Sequence, residues 1–184
     1  MGQFYLDIET SGLNPATDKI ITIQFQELDR YSGKAVGELI ILKEWESSEK
    51  DILKEFILKS RILDPYSFSF VAVGYNLCFE HNFLKKRTEI NGLPSIDILT
   101  KPFLDLRAIG ILMNKGVFKG SALKDITGKK GKGAEVPEWY ARHDYKNIID
   151  YIVNETEEFI KLNVWLYQEM PHLAEKFKEY LMMN

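Results

Sequence analysis

The chain opens on strict alternation. In FYLDIE, Phe4, Leu6 and Ile8 fall on one side of an extended segment, and Tyr5, Asp7 and Glu9 on the other. IITIQFQELD (20–29) and VGELIILKEW (36–45) read as two further strands around a turn at Tyr31-Ser32-Gly33-Lys34. Connections this short make the three antiparallel neighbours. Ser48-x-x-Asp51 then resembles a capping box, and Ile52, Leu53, Phe56 and Ile57 follow at helical spacing. The apolar run FSFVAVGY (68–75) suits a buried strand, and FLDL (103–106) a short one. Helical segments are predicted around 80–91 and 121–127.

A strand–helix–strand order implies parallel pairing through right-handed crossovers. Late in the chain, Ile148, Ile149, Ile152, Phe159, Ile160, Leu166 and Tyr167 recur with helical period over Tyr145 to Gln168, and Pro171 is expected to start a second helix. The sum is an α/β domain, a mixed five-stranded sheet flanked by helices, expected to be one unit over 1–184.

Composition narrows the class. Hydrophobic content of 45% with 28% charged residues is that of a soluble globular protein, and no stretch nears the ~18 apolar residues that span a bilayer. The strand at the N-terminus leaves no leader or signal core, so a cytoplasmic location is expected. One cysteine, Cys78, fits a reducing compartment, and three scattered histidines give no zinc-ligand spacing. The net charge of −3 offers no general attraction for nucleic acid. Locally, residues 115–132 hold six lysines against Asp125 alone, and Lys85, Lys86 and Arg87 form a second cluster. Either can be an ordinary solvated face or a backbone contact.

The carboxylates carry the chemistry. Asp7 and Glu9 lie about 7 Å apart along one strand face. Like charges so placed repel and lose hydration, which a divalent cation corrects; an edge strand whose polar face meets water does so too. Two-metal sites need three or four carboxylates. Glu80, opening a helix after Gly74-Tyr75-Asn76, is one candidate, although a first-turn acid also complements a helix dipole. Tyr151 and Glu155 are four apart and share a helix face, with Glu158 a turn further, though surface helices are rich in Glu. Asp150 lies about 140° round the helix from Glu155 and faces away.

Together, DIETSGL, GYNxxFExxFLxxR and YxxxE in a late helix resemble the three motifs of the DEDD (DnaQ-like) 3′-5′ exonuclease superfamily, of ribonuclease H-like fold. The resemblance runs from about Phe4 to Tyr167 and is nearest the tyrosine subtype; Asp105-Leu106 and VPEWY are similar to its predicted ribonuclease H-like exonuclease branch. It implies hydrolysis of single-stranded DNA or RNA from the 3′ end, with release of nucleoside monophosphates and two divalent cations, Mg²⁺ or Mn²⁺. Asp7 would bridge the ions, Glu9 and Glu155 complete one shell, and Glu80 contact the second. Tyr151 would orient the attacking water. Thr10, Ser11, Gly12 and Leu13 would cradle the 3′ nucleotide, with Leu13 as a wedge against its base, and Asn76 would hold the second motif. Lys85, Lys86, Arg87 and the lysine-rich segment become expected backbone contacts. GKKGKG (128–133) is no phosphate-binding P-loop, because no Lys-Ser/Thr follows and no strand leads into it; it reads as a mobile basic loop.

Two positions depart from the family. Glu80 and Glu155 stand where it has Asp, keeping the charge and adding a methylene. A carboxylate displaced by about 1 Å can cost ~100-fold in rate. The alternative reading is therefore a ribonuclease H-like module that binds nucleic acid but cuts it weakly or not at all. An α/β interaction domain with no nucleic-acid role is a third.

Overall fold

A computed structural model describes residues 2–128 and 133–183. Five strands form one sheet: β1 (Gln3–Thr10), β2 (Ile20–Leu28), β3 (Ile40–Lys43), β4 (Val71–Gly74) and β5 (Phe103–Asp105). Their spatial order is β3-β2-β1-β4-β5. The first three pair antiparallel, and β4 and β5 add parallel to β1 and to each other, as the pattern predicts. The third strand is shorter than the expected 36–45: residues 36–39 lie outside the ladder, and Glu44–Glu46 form a 3₁₀ turn.

The helices are α1 (Glu49–Ser60), α2 (Leu77–Ile90), α3 (Arg107–Met113), α4 (Leu123–Thr127), α5 (Val136–Ala141) and α6 (Tyr145–Met183). Ser48 caps α1 by accepting from the Asp51 amide, as its motif implies. The crossover β1-to-β4 carries α1, and α2 connects β4 to β5. Short α3 and α5 had no clear periodic signal.

β1 is central, which removes the edge-strand explanation of its acids. Both sheet faces are covered. Leu6, Ile8, Ile23 and Phe25 pack with Ile52, Leu53 and Phe56 of α1 and Phe83 and Leu84 of α2. On the other face, Tyr5, Val73 and Leu106 pack with Phe159, Leu162 and Leu166 of α6, and Ile21 and Val136 with Ile148 and Ile152. Any polar group on β1 is thus enclosed unless a cleft reaches it.

One expectation fails here. Pro171 does not begin a new helix; α6 runs unbroken through it for 39 residues. Proline inside a helix removes the bond to the carbonyl four residues back and costs about 3 kcal/mol. Leu, Ala, Glu, Lys and Met, good helix formers, flank it on both sides and carry the helix on.

A second correction concerns Arg87, expected at the surface as a nucleic-acid contact. Its guanidinium instead grips Glu49 with two bonds of 2.7 Å, both side chains nearly buried. Glu49 also accepts from the Ile20 amide and from Asn91. The pair ties α1, α2 and β2 together, and holds Glu49 below its ordinary range despite burial. Breaking one partner of a buried pair strands the other charge, so Glu49→Gln should lower unfolding free energy by about 3–5 kcal/mol in urea titrations. A loss under 1 kcal/mol would show that the pair is solvated.

Candidate active site

Three elements converge on the face of β1 that α6 covers. Alternation places Tyr5, Asp7 and Glu9 there; Glu80 arrives from the first turn of α2, and Tyr151 and Glu155, one turn apart, from α6. All six line a single cleft together with Tyr75, Asn76, Phe79, Arg107 and Leu123. Asp7, Glu9 and Glu155 each present a carboxylate oxygen within 4.8 Å of the others. A β-bulge falls between Glu9 and Thr10, where Ile21 has no partner, and it turns the strand end at the site.

Asp7 is fixed from its neighbours across the sheet. It faces Gln24 in register, and Gln24 Nε2 donates to Asp7 Oδ2 at 2.8 Å. Thr22 Oγ1 in turn donates to Gln24 Oε1 at 3.0 Å, and the Tyr5 hydroxyl donates to Asp7 Oδ2 at 3.3 Å. Gln24 was missed in the sequence, where the alternation of Thr22, Gln24 and Gln26 with Ile23 and Phe25 marks a polar face on a strand otherwise apolar.

Glu80 owes its place to Asp105. The Asp105 carboxylate accepts from the amides of Asn76 (2.8 Å), Leu77 (3.0 Å) and Arg107 (3.0 Å), fastening the start of α2 to the end of β5. Asn76 adopts the left-handed conformation, with φ 76°, to make the turn. Glu80 is buried, and its Oε2 has no hydrogen-bond partner.

The electrostatics follow from crowding. Burial first, then repulsion by Glu155, pushes Asp7 up to about 7 against the lowering effect of its hydrogen bonds. Burial and the Asp7 charge hold Glu80 well above the usual carboxylate range. Burial, then Glu155 and Glu9, raises the Tyr151 phenol, which stays protonated at neutral pH. A buried, unpartnered carboxylate oxygen beside a second carboxylate is short of positive charge. The all-oxygen set therefore fits a hard divalent cation, which would satisfy both.

Beside this cleft runs a second, lined by Thr10, Gly12, Leu13, Ala134 and Pro137, and the two share Ile8, Glu9 and Phe79. The loop after β1 is well braced. Thr10 Oγ1 donates to the Gly12 carbonyl at 2.6 Å, Ser11 Oγ accepts from the Lys19 amide, and the Arg87 guanidinium reaches the Pro15 carbonyl. The Asp18 carboxylate packs against Gly12, in the space a Cβ there would occupy, and accepts from the Asn14 amide. Leu13 is 84% exposed at the rim.

The basic cluster of α2 lies elsewhere. Lys85 pairs with Asp97 and Lys86 with Glu89, and neither lines either cleft. Asp150, as expected, points away and pairs with Lys146. The GKKGKG segment falls largely at 129–132, outside the described residues. Sequence reasoning missed Arg107, which lines the carboxylate cleft.

Residues 4–167 match the RNase_H superfamily. The chain belongs to that superfamily. Among solved structures, it is similar to the zinc-bound form of the E. coli exonuclease I–single-stranded DNA complex (TM-score 0.62, 16% identity, covering 99% of this chain and 44% of that one). A product-bound exonuclease I gives TM-score 0.60 at 15% identity (99% and 48%). The E. coli enzyme in complex with a dT13 oligonucleotide gives 0.56 at 15% (95% and 43%). No curated protein matches by sequence. This ribonuclease H-like chain spans less than half the length of the exonuclease I chains it matches. The fold drawn from the three motifs is thus borne out, and among the described residues no helix is long and apolar enough to cross a membrane.

The raised Asp7 sets a pH dependence. Between an unfolded value of ~3.9 and about 7, the folded metal-free protein holds a proton that the unfolded chain has lost. Stability from this group is therefore full below pH ~4 and declines as pH rises to about 7; Glu80, also raised, acts in the same direction. Melting temperatures in EDTA should fall across that range, and Mn²⁺ should raise them more at pH 8 than at pH 5, where protons compete. Asp7→Asn should flatten the pH dependence. A Mn²⁺ effect equal at both pH values would show that the carboxylates do not bind it.

Proposed function

We infer that this chain is a metal-dependent 3′-5′ exonuclease acting on single-stranded nucleic acid. The observation that carries this reading is the gathering of Asp7, Glu9 and Glu155 within 4.8 Å, with the buried Glu80 beside Asp7 and its Oε2 without a hydrogen-bond partner. The order of the motifs and the likeness to exonuclease I bound to single-stranded DNA support it.

Asp7, Glu9, Glu80 and Glu155 would hold two divalent cations, Mg²⁺ or Mn²⁺. When bound, these supply Lewis-acid stabilisation of charge on the scissile phosphate and a water of lowered pKa. The chain's own residues do the rest. Gln24 and Tyr5 keep the Asp7 carboxylate in one orientation. Tyr151, protonated and hydrogen-bonded to Glu155 one turn on, would help orient the attacking water and, keeping its proton at neutral pH, does not serve as a base. The braced loop Thr10–Leu13 takes the 3′ nucleotide, its amides meeting sugar or phosphate and Leu13 its base. Asn76 holds the turn that delivers Glu80. Nucleoside monophosphates leave. Lys85 and Lys86, paired with acids and away from both clefts, would contribute only a diffuse field to the strand.

The longer Glu80 and Glu155 side chains reach the cleft, which supports activity over the binding-module reading. Digestion of 5′-labelled single-stranded DNA and RNA, in Mg²⁺ and in Mn²⁺, decides between them. The expected result is a ladder shortening from the 3′ end and absent with Asp7→Ala; intact oligonucleotide in every lane would sink the hydrolase reading. Tyr151→Phe should lower kcat roughly 100-fold, the scale of a misplaced reactant, with little change in KM. An unchanged kcat would remove Tyr151 from the chemistry.

A further inference from the structure

Arg107 stands apart from every other arginine beside the site. Arg87 is consumed by Glu49, whereas the Arg107 guanidinium makes no ion pair among the described residues. It is the one cationic side chain among the described residues lining the carboxylate cleft. Its Nε is buried with no hydrogen-bond partner. A guanidinium offers five donors in a planar fork and is rarely left unpaired where it is shielded from water.

The side chain is also held in place. Its backbone amide donates to Asp105 at 3.0 Å, and the guanidinium lies over the Phe118 ring at 5.4 Å. Phe118 sits on a fastened loop: Asn114 Nδ2 donates to the Val117 and Lys119 carbonyls, and Ser121 Oγ to the Phe118 carbonyl. Close by, the Tyr75 hydroxyl donates to the Ser121 carbonyl at 2.5 Å, in space that only a glycine at 110 leaves free. The fork is thus positioned before any ligand arrives.

Its place along the cleft identifies the ligand. Thr10, Gly12 and Leu13 line the neighbouring cleft, which reaches the carboxylates through Ile8, Glu9 and Phe79. Arg107 lines the carboxylate cleft, as do Tyr75, Ala122 and Leu123, and none of the four lines the neighbouring one. A strand whose 3′ nucleotide rests against Thr10–Leu13 passes the carboxylates and then meets Arg107. Resting on the exonuclease reading above, we propose that Arg107 is a positioning residue that grips the first phosphodiester on the 5′ side of the scissile one. The cleft is crowded with acidic groups, and among the described residues that line it only the fork supplies positive charge to meet a polyanion. Phosphate is the group that its planar donors match, in DNA and RNA alike.

The test uses the whole protein in EDTA, so that nothing is cut. Fluorescence anisotropy follows a 5′-labelled dT oligonucleotide over a salt series for wild type, Arg107→Gln and Arg107→Lys, after matched melting curves confirm that each is folded. Arg107→Gln should bind roughly tenfold more weakly, with the slope of log affinity against log salt reduced by about 0.7, one phosphate's worth on a single strand. Arg107→Lys, with charge but no fork, should restore the slope and only part of the affinity. In competition, the trinucleotide TpTpT should bind wild type better than TpT, and Arg107→Gln should lose that advantage, because only the longer one carries the second phosphodiester. If wild type binds oligonucleotide while Arg107→Gln matches it in affinity, slope and length preference, the assignment of Arg107 is overturned and the exonuclease reading stands. If wild type binds none, the nucleic-acid reading fails and the proposal with it.

Discussion

Mutual repulsion among crowded carboxylates is the constraint around which this fold is arranged. Two unit charges 4.8 Å apart repel by roughly 3 kcal/mol at an effective dielectric of 20, and Asp7, Glu9 and Glu155 come within that distance of one another. Helix α6 is held against the sheet in spite of this. It is clamped on both sides of the site, by Ile148 and Ile152 against Ile21 and Val136, and by Phe159, Leu162 and Leu166 against Tyr5, Val73 and Leu106. At about 1.5–3 kcal/mol per buried apolar side chain, those five residues of α6 contribute on the order of 10 kcal/mol. Three such pairs sum to about 10 kcal/mol, so the apolar clamps match the repulsion and hold Tyr151 and Glu155 facing β1. The Tyr5–Phe159 ring pair, with centroids 4.7 Å apart, sits beside the acids it helps confine.

Precision comes from smaller polar contacts. Gln24 reaches Asp7 because β1 and β2 pair in a register that sets the two side by side. Asp105 collects three amides and thereby decides where α2 begins, hence where Glu80 points. The Glu49–Arg87 pair locks α1 to α2 and lends a bond to the loop that carries Thr10 to Leu13. A side chain meant for chemistry on a rigid strand or helix is thus placed by a partner from another element. The same logic extends to Arg107 in the carboxylate cleft, whose guanidinium lies over Phe118 and whose amide Asp105 holds.

Local periodicity, being a property of neighbouring residues, was legible from the chain. Alternation in FYLDIE put Asp7 and Glu9 on one face, and four-residue spacing stacked Tyr151 on Glu155. The ordered motifs carried the ribonuclease H-like fold, and short connections the antiparallel start of the sheet. Tertiary structure alone decided which strand lies in the middle, because strand order depends on pairings between residues far apart in the chain. That decision turned a polar strand face into an acidic cluster confined to a cleft. It also took Arg87 inside, since Glu49 meets it only when α1 packs on α2, and brought forward Arg107, whose segment carries no period to announce it. Pro171 reads as a helix start on local grounds, yet good helix formers on both sides carry α6 through it. Sequence determined which faces bear charge; the long-range packing of the sheet determined which of those faces are sealed, and so where charge must find a partner.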